Sequence, residues 1–518
     1  MSTHPLAPPT VSRHSPAPPA AGRRLAGGSL VSPAGLVVAI TILGAALRFG
    51  TLNVQSIWLD ESATIILVHR SFWGMLSHLS ESESAPPLYY MLVWVWTKVF
   101  GIGALGFRSF SALIGTLTIP VMYAAGRRMS PRAGLWAAAL TALSPAMFYY
   151  SQEARAYGLL ILCSAAAFVL WQRALERPDR RNLALWAAMS SVALLTHYFA
   201  VFLFVPEALI LAKQEGVRRV RVPIGAVLLI GLALLPLAAA ERSSGKTSWI
   251  EAESLASRFA ESVKQLAVGP YAPLELVAGV LVVALAAGAV ALLVLRSSGA
   301  RELRAARNAA IVAAAGIALP LLLAVTHLID VYDGRNMIAT WVPLAVLIAA
   351  GLGAERSGRT GSVLGVCLCT ISLAVIVGIN LTPVYQRDNW RGIAHTLAAP
   401  PSGERIVVGE QFASLPLYVY LGPLQGVTGA RTSTREVDFV ALRMRRSARS
   451  PLPPVVPTVA PPGFLLAGVT RTATYAVSRF VAARPTAVSV ASLRREQGDP
   501  KAEVIIQRGS SLKSAPEA

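Results

Sequence analysis

The feature that most constrains this chain is a series of long apolar runs between residues 33 and 381. A helix needs about 20 mostly apolar residues to cross the roughly 30 Å hydrocarbon core of a bilayer. We count eleven candidate spans, some of them short: 33–51, 108–126, 133–149, 155–172, 182–196, 198–212, 222–240, 274–295, 308–328, 337–354 and 361–381. Charged residues make up 14% of the chain, against about 25% in soluble domains. The sequence therefore predicts an all-α polytopic membrane protein with about eleven transmembrane helices.

A further apolar segment, PLYYMLVWVWTKVFG at 87–101, is short and rich in aromatic residues. Tyr and Trp prefer the headgroup level, so we expect a helix that lies in the interface. If this segment does not cross, the basic loops fall on the same side as the basic N-terminal tail. These loops hold Arg127, Arg128, Arg132, Arg173, Arg177, Arg180, Arg181, Lys213, Arg218, Arg219, Arg221, Arg296, Arg301, Arg304, Arg307, Arg356 and Arg359. The positive-inside rule then places the N-terminus in the cytoplasm.

This topology divides the chain into three parts. Residues 1–32 are rich in Pro, Ala and Ser and are predicted to be a disordered cytoplasmic tail. Residues 33–381 form the transmembrane domain, with a long outer loop at 52–107. Residues 382–518 lie outside the cytoplasmic membrane, because an odd number of spans precedes them. There GERIVVGE, VDFVAL and AEVIIQRG are typical of strands and FASLPLYVYLG of a helix, so we expect a small extracytoplasmic α/β domain.

The placement of charge excludes nucleic-acid binding as the reason for the net charge of +20. The basic residues lie in the cytoplasmic loops and in the outer C-terminal part, where membrane topology accounts for them. The three cysteines, Cys163, Cys367 and Cys369, lie inside apolar runs and do not indicate a disulfide or metal framework. Arg48 and Arg108, at span ends, are expected to snorkel to the interface, with locking of the interfacial helix as the alternative for Arg108.

Polar clusters converge on the predicted outer face. They are Asp60-Glu61, SESESAPPLYY at 80–90, YYSQEARAY at 149–157, the pair His197-Tyr198 and VYDGRN at 331–336. One acidic residue at a span end is an ordinary interface residue, but several such clusters at one surface indicate a site. A carboxylate can act as a base, and arginines such as Arg155 and Arg335 can clamp an anion through paired contacts. With an aromatic platform beside them, these groups suit an anionic lipid headgroup.

These motifs resemble the membrane glycosyltransferases of the protein O-mannosyltransferase and aminoarabinose transferase group, which have the C-type (GT-C) fold of glycosyltransferase family 39 and its bacterial relatives. In order, the matching segments are WLDE, APPLYY, FRSFSALIGTLTIPVMYAAGRRM and SPAMFYYSQEARAYGL, followed by weaker matches at THY and VYDGRNMIATWVPLAV. The strong matches cover roughly residues 34–160. The His-Pro-Pro-Leu of the family is Ala85-Pro86-Pro87-Leu88 here, so the family His is missing or is replaced by Glu81 or Glu83.

The resemblance implies transfer of a sugar, most often mannose, from polyprenyl phosphate to an acceptor hydroxyl on a protein, lipid or glycan at the outer membrane face. It implies a single displacement with inversion. Asp60 is then the base, and Glu61 orients the loop or acceptor by pairing with an arginine. Glu153 holds the sugar or a divalent cation, and Arg155 and Arg335 hold the phosphate. The other residues assigned to substrate binding are Pro86, Pro87, Tyr89, His197 and Tyr198.

Two other functions fit a chain with many spans. A secondary transporter typically has internal repeats, with broken helices and polar groups near the bilayer midplane. The sequence shows neither, because its polar clusters lie at span ends on one side. A scaffold that only anchors the C-terminal domain would not need Asp60, Glu153, Arg155 and Arg335 together. The transporter is retained as the alternative to the enzyme.

Overall fold

The computed structural model describes residues 32–243, 250, 253–296, 299–400, 403–443 and 455–509. The predicted disordered tail lies outside these residues, apart from Ser32. The helices are α1 (Pro33–Gly50), α2 (Leu59–Val68), α3 (Phe72–Ser77), α4 (Leu79–Ser82), α5 (Leu88–Phe100), α6 (Ala104–Gly126), α7 (Pro131–Leu143), α8 (Pro145–Ser151), α9 (Tyr157–Glu176), α10 (Arg180–Thr196), α11 (Val201–Glu215), α12 (Val217–Ser243), α13 (Leu255–Val268), α14 (Glu275–Arg296), α15 (Ala300–Val325), α16 (Trp341–Leu352), α17 (Gly358–Leu381), α18 (Trp390–Leu397), α19 (Ser414–Leu421) and α20 (Val490–Gln497). Short 3-10 helices cover Tyr198–Ala200, Gly334–Thr340 and Pro383–Tyr385.

Eight helices in the described part of the chain are long and apolar enough to cross a membrane. They are α1, α6, α9, α12, α14, α15, α17 and the continuous unit Gly334–Leu352, which ends with α16. The other three predicted spans fall on α7, α10 and α11, which have 13, 17 and 15 residues. The span predicted at 133–149 is divided between α7 and α8, since Ser144 caps α8 and Pro145 begins it. Proline cannot continue the preceding helix, so the run contains two helices instead of one.

The segment 52–107, predicted to be an outer loop, is folded into four helices, α2 to α5. The segment predicted to lie in the interface forms α5, whose 13 residues are fewer than a membrane span needs. Gly101 ends α5 with a φ of 80°, a conformation that favours glycine. The indole of Trp96 donates hydrogen bonds to the Gly106 carbonyl (3.1 Å) and to Ser109 (3.0 Å), which attaches α5 to the start of α6.

The expected snorkelling of Arg48 is wrong, because its side chain is completely buried. Its guanidinium donates hydrogen bonds to the carbonyls of Thr141 and Ala142, each at 3.0 Å, and to Ser151 Oγ at 2.9 Å. Both carbonyls belong to the last turn of α7, where backbone acceptors lack partners within the helix. Arg48 therefore caps α7 from α1, and the positive charge suits the negative end of that helix.

The C-terminal part contains the predicted small α/β domain. Its strands are β1 (Glu404–Gly409), β2 (Gln425–Gly426), β3 (Arg431–Leu442), β4 (Leu465–Arg471), β5 (Tyr475–Ser489) and β6 (Glu503–Arg508). The sheet order is β2-β6-β1-β3-β5-β4, with β1 and β3 parallel and the other pairs antiparallel. One apolar layer contains residues of α18 and α19, and the other contains residues of α20. The three predicted strands and the predicted helix α19 are all present.

The C-terminal domain contacts the segment 52–107 through α19. The hydroxyl of Tyr420, on α19, accepts a hydrogen bond from the backbone N–H of Ile57 at 2.6 Å and lies 3.1 Å from Ser56 Oγ. The loop just before Asp60 is therefore fixed by the C-terminal domain. This places the domain on the side of the molecule that carries the polar clusters.

The topology gives a labelling prediction. In a background with the three native cysteines replaced, a cysteine at the exposed position Glu81 should react with a membrane-impermeant thiol reagent added to intact cells. A cysteine at the exposed position Arg180, the first residue of α10, should react only after the cells are opened. Labelling of the Arg180 position in intact cells would invert the orientation derived from the positive-inside rule.

Candidate active site

Glu61, in the first turn of α2, is a fully buried carboxylate that two arginines neutralise. Arg108 Nε donates to it at 2.8 Å, the backbone N–H of Ala154 donates at 3.0 Å, and Arg387 Nη1 lies at 3.4 Å. Burial alone would raise the pKa of Glu61, but the charges of Arg108 and Arg387 outweigh burial and hold the pKa below its ordinary value. Glu61 is therefore ionised and joins α2, α6 and the chain that follows α17. Glu61 thus pairs with an arginine, while its role in orienting the loop stays a prediction.

Arg108 holds the loop that precedes α2. Beyond Glu61, its guanidinium donates to the carbonyls of Leu52 (3.0 Å), Gln55 (2.7 Å) and Ser56 (2.8 Å). Its side chain is 1% exposed, so snorkelling is wrong for this residue as well. The alternative expectation, that Arg108 locks the interfacial helix, is closer to the structure. The segment that Arg108 fixes is the loop 52–56, however, and not that helix.

Asp60 points away from its neighbour, as consecutive residues of a helix do. Its Oδ2 accepts a hydrogen bond from Arg335 Nη1 at 3.0 Å, and the two side chains are 24% and 30% exposed. Asp333 lies 3.3 Å from Arg335 Nε on the other side. The pair Asp60–Arg335 thus joins two distant motifs of the sequence at a surface that a substrate can reach.

The side chain of Arg155 makes its contacts with other residues of the protein. It forms an ion pair with the buried Glu83, and its Nη1 also donates to Thr64 Oγ1 at 3.2 Å and to the Asp60 carbonyl at 3.4 Å. Thr64 in turn donates to Glu83 at 2.6 Å. Of the two glutamates considered as replacements for the missing His, Glu83 lies inside the site, whereas Glu81 is exposed. Arg155 therefore supports the backbone of Asp60, and Arg335 is the more accessible of the two predicted phosphate ligands.

Glu153 is a buried carboxyl group in the connection between α8 and α9. It is 2% exposed, and its Oε2 has no hydrogen-bond partner among the residues that the structure describes. Burial raises the pKa of Glu153 to about 7, and the charge of Arg387 opposes this rise while Asp60 and Glu61 add to it. A group with this pKa can hydrogen-bond a sugar hydroxyl as donor or as acceptor near neutral pH.

The raised pKa of Glu153 predicts a pH-dependent stability. Because the folded pKa of about 7 lies above the ordinary 4.5, ionisation opposes folding as pH rises through this range. Glu153→Gln should therefore melt at the same temperature as wild type at about pH 4.5 and should be more stable by up to about 3 kcal/mol at about pH 8.5. The exposed Glu253→Gln is the matched control and should show no such difference. An equal effect of Glu153→Gln at both pH values would contradict the burial of its charge.

The remaining predicted site residues divide into two groups. The ring of His197 lies 5.4 Å from that of Tyr157, and burial, with the charge of Arg155 second, lowers the pKa of His197 to about 3. His197 is therefore neutral beside the site. Tyr198 faces Glu241 of α12. Pro86 is buried and Pro87 half-buried just before α5, and Tyr89 is buried in its first turn, where it packs against Phe110. None of the three lines the cavity beside the site.

A cavity of about 1700 Å³ opens beside these residues. Site residues that line it are Trp58, Tyr149, Tyr150, Glu153, Tyr157, Asp333 and Arg335. Helix α13 supplies polar groups to it, and α14 supplies an apolar wall of Leu276, Gly279, Val280, Val283, Ala284 and Ala287. Leu276 and Val280 are 75% and 60% exposed, so this wall is continuous with the lipid-facing side of α14. The cavity therefore connects a charged end at Arg335 with an apolar side that faces the membrane.

Helix α13 is fixed over the cavity by a paired ion contact. The two terminal nitrogens of Arg258 donate to the two carboxylate oxygens of Asp330, each at 2.7 Å, and Arg258 also donates to the Tyr332 carbonyl at 3.0 Å. Gly334 approaches Gln265 of α13 so closely that a Cβ atom would lie 2.4 Å from its amide oxygen. These contacts hold α13 against the segment that carries Arg335.

Arg387 is a site residue that the sequence analysis missed. It follows α17, is 3% exposed, and stacks over the Tyr149 ring at 4.3 Å. It donates to the carbonyls of Gln152 (3.0 Å) and Tyr149 (3.3 Å), besides its contact with Glu61. The signal that could have indicated it is the polar run QRDNWR at 386–391, directly after the last apolar run.

The residues around Glu153 do not form a metal site by themselves. In the described part of the chain, no group of three or more His, Cys, Asp or Glu side chains is arranged to hold a metal ion. The charges that act on Glu153 are mixed, since Arg387 and Arg155 would oppose a cation whereas Asp60 and Glu61 would favour one. A cation at Glu153 would therefore need further ligands from the substrate beyond those that the described residues offer.

Comparison with known proteins supports the resemblance drawn from the motifs. Residues 84–240 match the sequence model of the family described as dolichyl-phosphate-mannose-protein mannosyltransferase. No curated relative matches the chain by sequence. The matched region contains Ala85-Pro86-Pro87-Leu88, Glu153 and Arg155, while Asp60 and Arg335 lie on either side of it.

Two solved structures share the fold of this chain. ArnT from Cupriavidus metallidurans in the apo state superposes with a TM-score of 0.52 at 13% identity, covering 89% of this chain and 99% of ArnT. ArnT from the same organism bound to undecaprenyl phosphate gives a TM-score of 0.50 at 13% identity, covering 86% and 98%. The predicted fold, a GT-C type helical membrane domain followed by a small C-terminal α/β domain, is confirmed.

Proposed function

We propose that this protein is a membrane glycosyltransferase that transfers a sugar, most simply a mannose-like one, from a polyprenyl phosphate to an acceptor hydroxyl at the outer face of the cytoplasmic membrane. The observation that carries the proposal is the pair Asp60–Arg335 beside a cavity whose opposite wall is apolar and lipid-facing. The match to a mannosyltransferase family over 84–240 and the fold of ArnT support it.

The shape of the cavity suits a lipid-linked donor. The isoprenoid chain would lie along the apolar wall of α14, where Leu276, Val280 and Val283 face outward. Its phosphate would reach Arg335, and its sugar would lie among Glu153, Tyr150 and Tyr157. The bound undecaprenyl phosphate in one ArnT structure shows that this fold accommodates such a lipid in that protein.

The chemistry follows from the charges. Asp60 accepts the proton of the acceptor hydroxyl, whose oxygen attacks the anomeric carbon of the donor sugar. The bond between that carbon and the phosphate oxygen breaks, and the leaving phosphate carries away the bonding electrons. Arg335 stabilises the negative charge that develops on the phosphate. A single displacement of this kind inverts the anomeric configuration.

The experiment is transfer by the purified full-length protein in detergent or liposomes. It uses radiolabelled sugar on polyprenyl phosphate and tests protein, lipid and glycan acceptors in separate reactions. Formation of a labelled product by one acceptor class supports the proposal and identifies the acceptor. Absence of product with every acceptor, from protein that melts cooperatively, would contradict it.

Chelation tests whether a divalent cation takes part, as the assignment of Glu153 to a metal suggested. A transfer rate that excess EDTA leaves unchanged would contradict a role for a divalent cation. Loss of transfer that Mg²⁺ or Mn²⁺ restores would instead indicate a cation held by Glu153 together with substrate oxygens. Glu153→Gln should then abolish the restoration.

A further inference from the structure

The C-terminal domain forms part of the cavity wall. Val384 and Tyr385, which follow α17, and Arg443, which follows β3, all line the cavity. The substrate site is therefore shared between the helical membrane domain and the extracytoplasmic domain, although the reacting pair belongs to the former.

Arg443 differs from the other cations that line the cavity. Arg258 pairs with Asp330, Lys264 with Glu261 and Glu275, and Arg335 with Asp60 and Asp333. Within the described residues Arg443 has no acidic partner, and its buried Nε has no hydrogen-bond acceptor. A guanidinium group that is partly removed from water without a partner carries an energetic cost, which an anionic ligand would remove.

The backbone holds Arg443 in this place. Its N–H donates to the Thr474 carbonyl at 3.0 Å, and Thr474 Oγ1 accepts a hydrogen bond from Asn389 at 3.1 Å. Asn389 is two residues from Arg387, which is buried against Glu61 and Tyr149. The position of Arg443 is therefore tied to the same contacts that organise the reacting end of the cavity.

We propose that Arg443 binds a phosphate group in the cavity, so that the C-terminal domain contributes directly to substrate affinity. The inference rests on the proposed function, since the ligand is the phosphate of a lipid lying along α14. Arg335 acts at the bond that breaks, whereas Arg443 adds affinity from the opposite domain. The group that Arg443 would bind is a phosphate monoester or diester, which a guanidinium group recognises through paired hydrogen bonds.

The test measures ligand-induced stabilisation of the purified full chain with three probes: polyprenyl phosphate, polyprenol and inorganic phosphate. Without ligand, Arg443→Gln should melt at the temperature of wild type or above it, because the change removes a partly buried charge that has no partner among the described residues. It should bind polyprenyl phosphate roughly tenfold more weakly and polyprenol unchanged. Arg443→Lys should bind polyprenyl phosphate with an affinity between those of wild type and Arg443→Gln. Arg484→Gln, an exposed arginine of β5, is the matched control and should bind like wild type.

The probes also separate the sources of the phosphate. If inorganic phosphate stabilises wild type and Arg443→Gln removes this effect, Arg443 binds a free anion as well as a lipid headgroup. Equal affinity of wild type and Arg443→Gln for polyprenyl phosphate would overturn the inference, as would a lower melting temperature of unliganded Arg443→Gln. A wild-type protein that polyprenyl phosphate does not stabilise would contradict the proposed function instead.

Discussion

Replacing Asp60 by asparagine is expected to lower kcat by about 10² or more while the donor still binds. Asparagine keeps the size of the side chain and can still contact Arg335, but it cannot accept the proton of the acceptor hydroxyl. The measurement is the transfer rate per folded molecule, with melting temperature determined on the same sample.

The matched control is Asp333→Asn. Asp333 contacts the same arginine, at 3.3 Å from Nε, and caps the 3-10 helix at Gly334, but it is not assigned as the base. It should retain most of the kcat. If Asp60 only braced the structure, Asp60→Asn would lose activity in proportion to folded protein, and its specific activity would stay near that of wild type.

Replacing Glu61 by glutamine is expected to destabilise the protein by about 3 kcal/mol or more. The change leaves Arg108 and Arg387 buried without their shared counter-charge, and both are at most 3% exposed. The transfer rate of the folded fraction should fall less than in Asp60→Asn, because Glu61 is not assigned as the base. The melting temperature and the yield of folded protein should show the larger effect.

An exposed ion pair serves as the control for Glu61. Glu176 pairs with Arg128 at 2.5 Å, but the glutamate is 39% exposed. Glu176→Gln should cost less than about 1 kcal/mol, because water screens a pair of this kind. A similar small effect for Glu61→Gln would contradict the view that the buried pair with Arg108 organises the loop before Asp60.

The apolar runs and the motifs allowed much of the fold to be predicted. Helix length and composition are local properties, so α1, α6, α9, α12, α14, α15 and α17 could be located from the sequence. The short strands β1 and β6 were also recognisable, since their apolar residues lie between turn signals. The division of 133–149 at Pro145 was also readable in principle, because proline at that position ends one helix and starts another.

The partners of buried charges could not be predicted, because they depend on which helices meet. The position of Arg48 at a span end predicts snorkelling, but the end of α7 packs against it and accepts its hydrogen bonds. Arg387 lies 326 residues from Glu61 in the sequence, and no local pattern links them. Asp60 and Arg335 are 275 residues apart, and only their shared membrane face suggested that they meet. That residues of the C-terminal domain line the cavity could not be predicted from the sequence either.

The most direct test of the central claim compares wild type, Asp60→Asn and Arg335→Lys in one assay of transfer from radiolabelled polyprenyl-phosphate sugar. We predict that wild type forms labelled product and that Asp60→Asn binds the donor without forming product at a comparable rate. Arg335→Lys should transfer more slowly, because lysine keeps the charge but loses the planar pair of donors. Equal specific activity in all three proteins would contradict the assignment of the Asp60–Arg335 pair as the reacting centre.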